Sequence, residues 1–168
     1  MISSMSNLFR YNLKTSEQIV PLGQELKVVQ DYMYIQQMRF GTRIVYESRL
    51  DVDEEETLIP AFTLQPIVEN SIYHGIKPME GLGRILVTAR EEGEYLIFMV
   101  EDNGAGFAPA SLKDGRCVRK GSVGLKNVEE RLKLYYGQDC GVSIVSSPGA
   151  GCTVKLMLKK HVVHRETE

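Results

Sequence analysis

The sequence predicts an α+β fold: a two-layer sandwich with one mixed, mostly antiparallel sheet and its helices on one face, preceded by an N-terminal helix. Three observations lead there. Apolar residues recur every three or four positions in three separate stretches, the spacing of a helix with one buried side. Paired runs of β-branched and apolar residues flank short turns rich in glycine, which reads as hairpins. In chain order the elements run helix, strands, helix, hairpin, loop, helix, hairpin, an order that suits one sheet covered by helices.

The first helix carries Leu22, Leu26, Val29, Met33 and Phe40 on one side, with Gln36 as a polar interruption. Pro21 suits its start and Gly41 its end. "TRIVYESRLDV" follows as a strand, and "ETLIPAF" as a short second strand or extended lead-in that Pro60 keeps off a central ladder. The second helix sets Leu64, Ile67, Val68 and Ile72 on one face. Thr63 is expected to cap it, Pro66 falls in its first turn, and Gly75 is expected to end it. "RILVTAREE" and "EYLIFMVED" form a hairpin about Gly93. From Phe107 to Lys120 a loop without regular structure is expected, and loops of that length are commonly functional. Ser122 opens a third helix, with Val123, Val128, Leu132 and Tyr135 or Tyr136 toward one side and Gly137 closing it. "GVSIVSS" and "CTVKLMLKK" close the chain as a hairpin around "SPGAG", before a frayed tail.

The bulk numbers narrow the function. The chain has 168 residues, enough for one ordinary domain and an extra element. Its composition, 43% hydrophobic and 25% charged, is that of a soluble globular protein, and a net charge of -2 gives no case for binding nucleic acid or an anionic membrane. Cys117, Cys140 and Cys152 are odd in number and lack a metal-binding spacing, so reduced thiols in a cytosolic setting are expected. The apolar runs are too short to span a bilayer, and no signal peptide opens the chain. "MISSMSNLFRYNL" reads as the middle of a helix, so a piece of a longer protein is expected.

Three stations carry chemistry. In "LQPIVENSIYHG", Glu69 and Asn70 interrupt an apolar helix, and His74 lies one turn after Asn70 on the same face. Carboxylate and amide oxygens are hard ligands suited to Mg²⁺ that already carries phosphate oxygens, although the same residues also suit the solvated side of an amphipathic helix. In "EDNGAGF", Asp102 at a strand end can accept from a base amino group, while Gly104 and Gly106 let a flat ring approach the main chain; a plain Asp-Asn-Gly turn is the alternative. In "GSVGLKNVEERL", glycines at a helix start offer N–H groups to phosphate, or merely break a loop. Lys113, Arg116, Arg119 and Lys120 upstream could shield phosphate charge or simply be solvated. A shared pocket built from these parts would be an ATP site in chemical terms.

These stations, in this order, resemble the ATP-binding domain shared by histidine kinases, type II topoisomerases and heat-shock chaperones of the gyrase class. "LQPIVENSIYHGI" resembles the N box, "EDNGAGF" the first glycine box, "GSVGLKNVEERL" the second, and "GAGCTVKL" the closing strand. The similarity is greater to sensor histidine kinases of the LytS and YesM kind, whose linking helix "VPLGQELKVVQDYMYIQQMRFG" resembles.

The resemblance implies a Bergerat-type ATP-binding fold and a set of roles. Asn70 would bind Mg²⁺ and Asp102 would accept from the adenine amino group. Gly104 and Gly106 would shape the base pocket, Gly121, Gly124 and Leu125 would form the lid hinge and meet phosphate, and Thr153 would sit near Asp102. Tyr73 and His74 occupy the region where many histidine kinases place a phosphate-contacting lysine, which passes that contact to His74, Lys77 or the lid. Glu69 would be a general base only in a hydrolysing relative. The phosphoacceptor phrase is absent, since His74, His161 and His164 do not suit that part. The implied organisation is 1–40 as a remnant of the dimerisation and phosphoacceptor region with its linking helix, 41–160 as the ATP-binding catalytic domain, and 161–168 as a tail. The implied partners are the dimerisation helices of a homodimeric parent and a response regulator. The domain would be cytoplasmic and its parent anchored in the bacterial inner membrane.

Overall fold

The computed structural model describes residues 19–108, 112–113, 116–117 and 123–160. Strand β1, Ile19–Pro21, leads into helix α1, Leu22–Phe40. Pro21 stands at the helix start with φ -57° and Gly41 at its end with φ 62°, so the chain enters and leaves where the sequence expects. After a short 3₁₀ turn come β2, Ile44–Asp51, and β3, Leu58–Pro60. β3 pairs antiparallel with β1, and Pro60 thereby stays outside the main ladder.

Helix α2, Gln65–Asn70, continues as a wider turn of π geometry over Ser71–Ile76, where the Lys77 N–H reaches back five residues to the Ile72 carbonyl at 2.8 Å. Thr63 does not cap the helix: its hydroxyl donates to the Pro60 carbonyl at 2.5 Å. The N–H groups entering α2 are instead taken by Glu25 from α1. Gly75 does not end the helix either, since it lies inside the π turn.

β4, Gly83–Glu92, and β5, Tyr95–Asp102, form the expected hairpin about Gly93, which has φ 60°. β6, Leu112–Lys113, and β7, Arg116–Cys117, pair antiparallel, so the loop expected to lack structure contains a small hairpin; its remaining residues from 109 to 120 lie outside the described ones. Helix α3, Val123–Tyr136, is followed by β8, Gly141–Ser146, and β9, Cys152–Lys159. The tail over 161–168 also lies outside the described residues.

The main sheet has five strands in the order β2-β4-β5-β9-β8. Every neighbouring pair is antiparallel except β2 and β4, which are parallel. Side chains alternate across each strand, so one face is apolar. Val87 of β4, Phe98 of β5 and Leu156 of β9 lie on it, fully buried. Against them pack Leu26 and Val29 of α1, Ile67 and Val68 of α2, and Leu132 and Tyr136 of α3, all in one core. Burying a side chain such as Phe98 contributes roughly 1.5–3 kcal/mol. The same core crosses the expected boundary at residue 40, because Leu22, Leu26, Val29 and Met33 share it with the sheet. Among the described residues no helix is long and apolar enough to cross a membrane.

Candidate functional site

Where the end of β5 meets α2 and the start of α3, the chain leaves a hollow of about 480 Å³, counted to its open mouth. Asn70 and His74 line it from α2 and the π turn, Asp102 and Gly106 from the end of β5 and beyond, Leu125 from α3, and Cys152 from β9.

Alternation puts the Asp102 side chain on the apolar face, after Leu96, Phe98 and Val100, and it is only 9% exposed. Its Oδ1 accepts from the Gly104 N–H at 2.9 Å. The Ser71 hydroxyl and the Cys152 N–H also donate to this carboxylate. Burial pushes its pKa above the usual aspartate value, and these three hydrogen bonds pull the other way. An ionised carboxylate has about four acceptor positions, so one remains for a donor arriving in the hollow.

Close approach of backbone to backbone holds this corner together. A Cβ on Gly75 would stand 2.8 Å from Asp102 Oδ1, and one on Gly104 would stand 2.3 Å from the Gly75 carbonyl carbon. The Ala105 N–H then donates to the Gly75 carbonyl at 2.8 Å. Gly104 therefore seats the end of β5 against α2's π turn; it is not the residue that clears space for a ring. Gly106, with φ 60°, does line the hollow.

Asn70 is half-buried and lines the hollow, with α3 close above it: its Nδ2 lies 3.5 Å from where a Cβ on Gly124 would be. His74 is half-buried, edge-on to Tyr73 with ring centroids 4.9 Å apart. The Lys77 ammonium lies 4.6 Å from the centre of the exposed Tyr73 ring.

Glu69 faces elsewhere. Its carboxylate accepts from Gln65 Nε2 at 2.8 Å, and it is outside the hollow's lining. It lies near Tyr32 of α1, whose pKa is pushed up to about 12, first by burial and then by Glu69. Thr153 is also displaced from its expected place. In the β5–β9 register it pairs with Glu101, while Cys152 pairs with Asp102. Alternation turns Thr153 to the other face, and Cys152 is the residue beside Asp102. Gly121 lies outside the described residues. Sequence reasoning missed Cys152, Ser71 and the packing of Gly75. Among the described residues no group of three or more His, Cys, Asp or Glu side chains is placed to hold a metal ion.

Residues 61–162 match the family of histidine kinase-, DNA gyrase B- and HSP90-like ATPases, and the chain belongs to that family. Residues 1–44 match a histidine kinase family. Similar curated proteins include the sensor histidine kinase BtsS of Escherichia coli K12, 33% identical over 158 residues, which cover 94% of this chain and 27% of BtsS. The sensor protein LytS of Bacillus anthracis is 32% identical over 174 residues, covering 99% of this chain and 29% of LytS. The chain thus spans about a quarter of the length of these relatives. Among solved structures, the histidine kinase domain of the Erythrobacter litoralis EL346 blue-light activated kinase superposes with a TM-score of 0.60 at 18% identity, covering 94% of this chain and 72% of that one. The catalytic domain of histidine kinase ThkA gives 0.61 at 12%, covering 86% and 96%. Both share the fold.

Proposed function

We propose that this chain is the ATP-binding catalytic part of a two-component sensor histidine kinase. The observation that carries the reading is one hollow with a buried carboxylate on one wall and a half-exposed amide on another. Asp102 accepts a hydrogen bond from the adenine amino group at its remaining lone-pair position. Gly106 and Cys152 flank the base, and His74 and Leu125 wall the hollow beyond it. The Asn70 amide oxygen, lining the hollow, would hold Mg²⁺ brought in with the phosphates, to which an amide oxygen is a suitable hard ligand. The ion, when bound, neutralises charge on the phosphate tail. The chain's own part is to orient the nucleotide and keep the base end dry. Gly124 and Leu125 bring the start of α3 over the phosphate end.

The reaction moves the γ-phosphoryl to a histidine nitrogen on dimerisation helices of the parent: the bond to the β-phosphate oxygen breaks, a P–N bond forms, and ADP leaves. A response-regulator aspartate then takes the phosphoryl group. The parent is a homodimer anchored in the bacterial inner membrane, with this domain on the cytoplasmic side. Glu69 argues against hydrolysis, because its carboxylate is engaged with Gln65 outside the hollow. The test supplies phosphoacceptor helices in trans with γ-labelled ATP. Label on a histidine, unaffected by Glu69→Ala, is the expected result. Steady phosphate release that disappears in Glu69→Ala would replace the kinase with a hydrolase.

A further inference from the structure

Residues 61–64 form a strap that leads into α2, and it is gripped from both sides. Its N–H groups converge on one carboxylate of α1: Phe62 donates to Glu25 Oε1 at 2.7 Å, and Thr63 and Leu64 donate to Oε2 at 3.0 and 2.9 Å. Its carbonyls face α3, where Arg131 Nη1 donates to the Ala61 oxygen at 2.5 Å and the Phe62 oxygen at 3.3 Å. The Arg131 guanidinium also lies 5.9 Å from the centre of the Phe62 ring. Successive N–H groups can converge on one anion where right- and left-handed residues alternate. Phe62 supplies the left-handed one, with φ 60°, the single non-glycine residue of positive φ among those described. Such a conformation costs on the order of 1–2 kcal/mol and persists only where its surroundings hold it. Glu25 is fully buried although charged side chains are seldom so, and the strap is what it serves.

The strap stands at the junction of every helix around the hollow. α2 starts directly after it and carries Asn70. α3 holds Arg131 at mid-length and sends Leu125 into the hollow. α1 holds Glu25 and lies within the 1–44 region, the part matched by the second family.

We propose that Glu25 and Arg131 are positioning residues that fix Asn70 over the phosphate end of the hollow, so that a shift of α1 reaches the metal-holding amide through the Glu25 carboxylate. This rests on the reading that Asn70 holds Mg²⁺. The Asp102 backbone is held in the ladders of β4 and β9, which α1 does not join, and only its carboxylate reaches across to Ser71 in the turn after Asn70.

Calorimetric affinities for ATP with and without Mg²⁺ test it on the parental chain, Glu25→Gln, Arg131→Lys and the double variant, well below their unfolding temperatures. The parental chain should bind more tightly with Mg²⁺. Glu25→Gln should cut that gain about tenfold while leaving the metal-free affinity within about threefold. Arg131→Lys should do the same from the other side of the strap, and it carries the test should Glu25→Gln fail to fold. The double variant should lose no more than the worse single one, as for residues acting through one element. Equal losses with and without Mg²⁺ would make the pair ordinary scaffold and overturn the proposal. A gain kept intact in both variants would overturn it and leave the Asn70 assignment standing. A parental chain with no gain from Mg²⁺ would remove that assignment and the proposal together.

Discussion

The burial that raises the pKa of Asp102 bears both on stability and on the binding role proposed for it. Its pKa is raised by burial, so the native state holds its proton at pH values where the unfolded chain has released it. The nucleotide-free protein therefore gains stability from this group as pH falls through the folded value, while adenine binding through the carboxylate, in the proposed role, should be lost over the same range. We expect ATP affinity to fall on acidification at a pH above the ordinary aspartate range. Asp102→Asn should abolish that acid limb, weaken binding by roughly 10–100-fold, and leave the free chain at least as stable in thermal melts. Gly75→Ala makes a second test at this scale. The added methyl would stand 2.8 Å from Asp102 Oδ1 and push the carboxylate aside, so binding should drop by roughly tenfold or more in titrations while far-UV dichroism is retained. That Asp102 and Asn70 line one hollow could be anticipated from the sequence, because each sits in a motif with its own chemistry. Cys152 could not be separated from Thr153, because facing depends on a register that shifts with one residue. The need for glycine at 75 appears only when a distant strand end arrives beside it.

At the scale of elements, the helices and strands were legible where periodicity is strong, as in α1, β4 and β5, and less so where a distant group intervenes. Thr63 has the right chemistry for a cap, yet Glu25, 37 to 39 residues away in sequence, takes the N–H groups. No local pattern carries that pairing. Gly75 likewise has the identity of a terminator but sits inside a π turn held by Lys77 and Ile72. The β8–β9 turn offers a test. A Cβ on Gly151, with φ 79°, would lie 1.9 Å from the Asp102 carbonyl oxygen. Gly151→Ala should therefore destabilise the chain by more than about 2 kcal/mol in urea denaturation and displace the end of β5, weakening ATP binding as well.

Over the whole molecule, one core joins α1 to the sheet, on both sides of the division at residue 40 that the family resemblance implies. Motifs mark chemistry, whereas the extent of a core depends on which apolar faces meet. The amides of α1 and β5 should accordingly lose hydrogen-exchange protection at the same denaturant concentration. Phe98→Ala, in the middle of that core, should lower the common transition by roughly 3–5 kcal/mol without splitting it. The parallel pairing of β2 with β4 has a topological result. Two strands running the same way cannot be closed by a tight reversal, so the chain must travel back along the sheet before it can pair again. The stretch that makes this return trip contains β3, the strap and α2. Had that edge been an up-and-down meander, there would be no backtracking segment and nowhere to hang the asparagine opposite the aspartate.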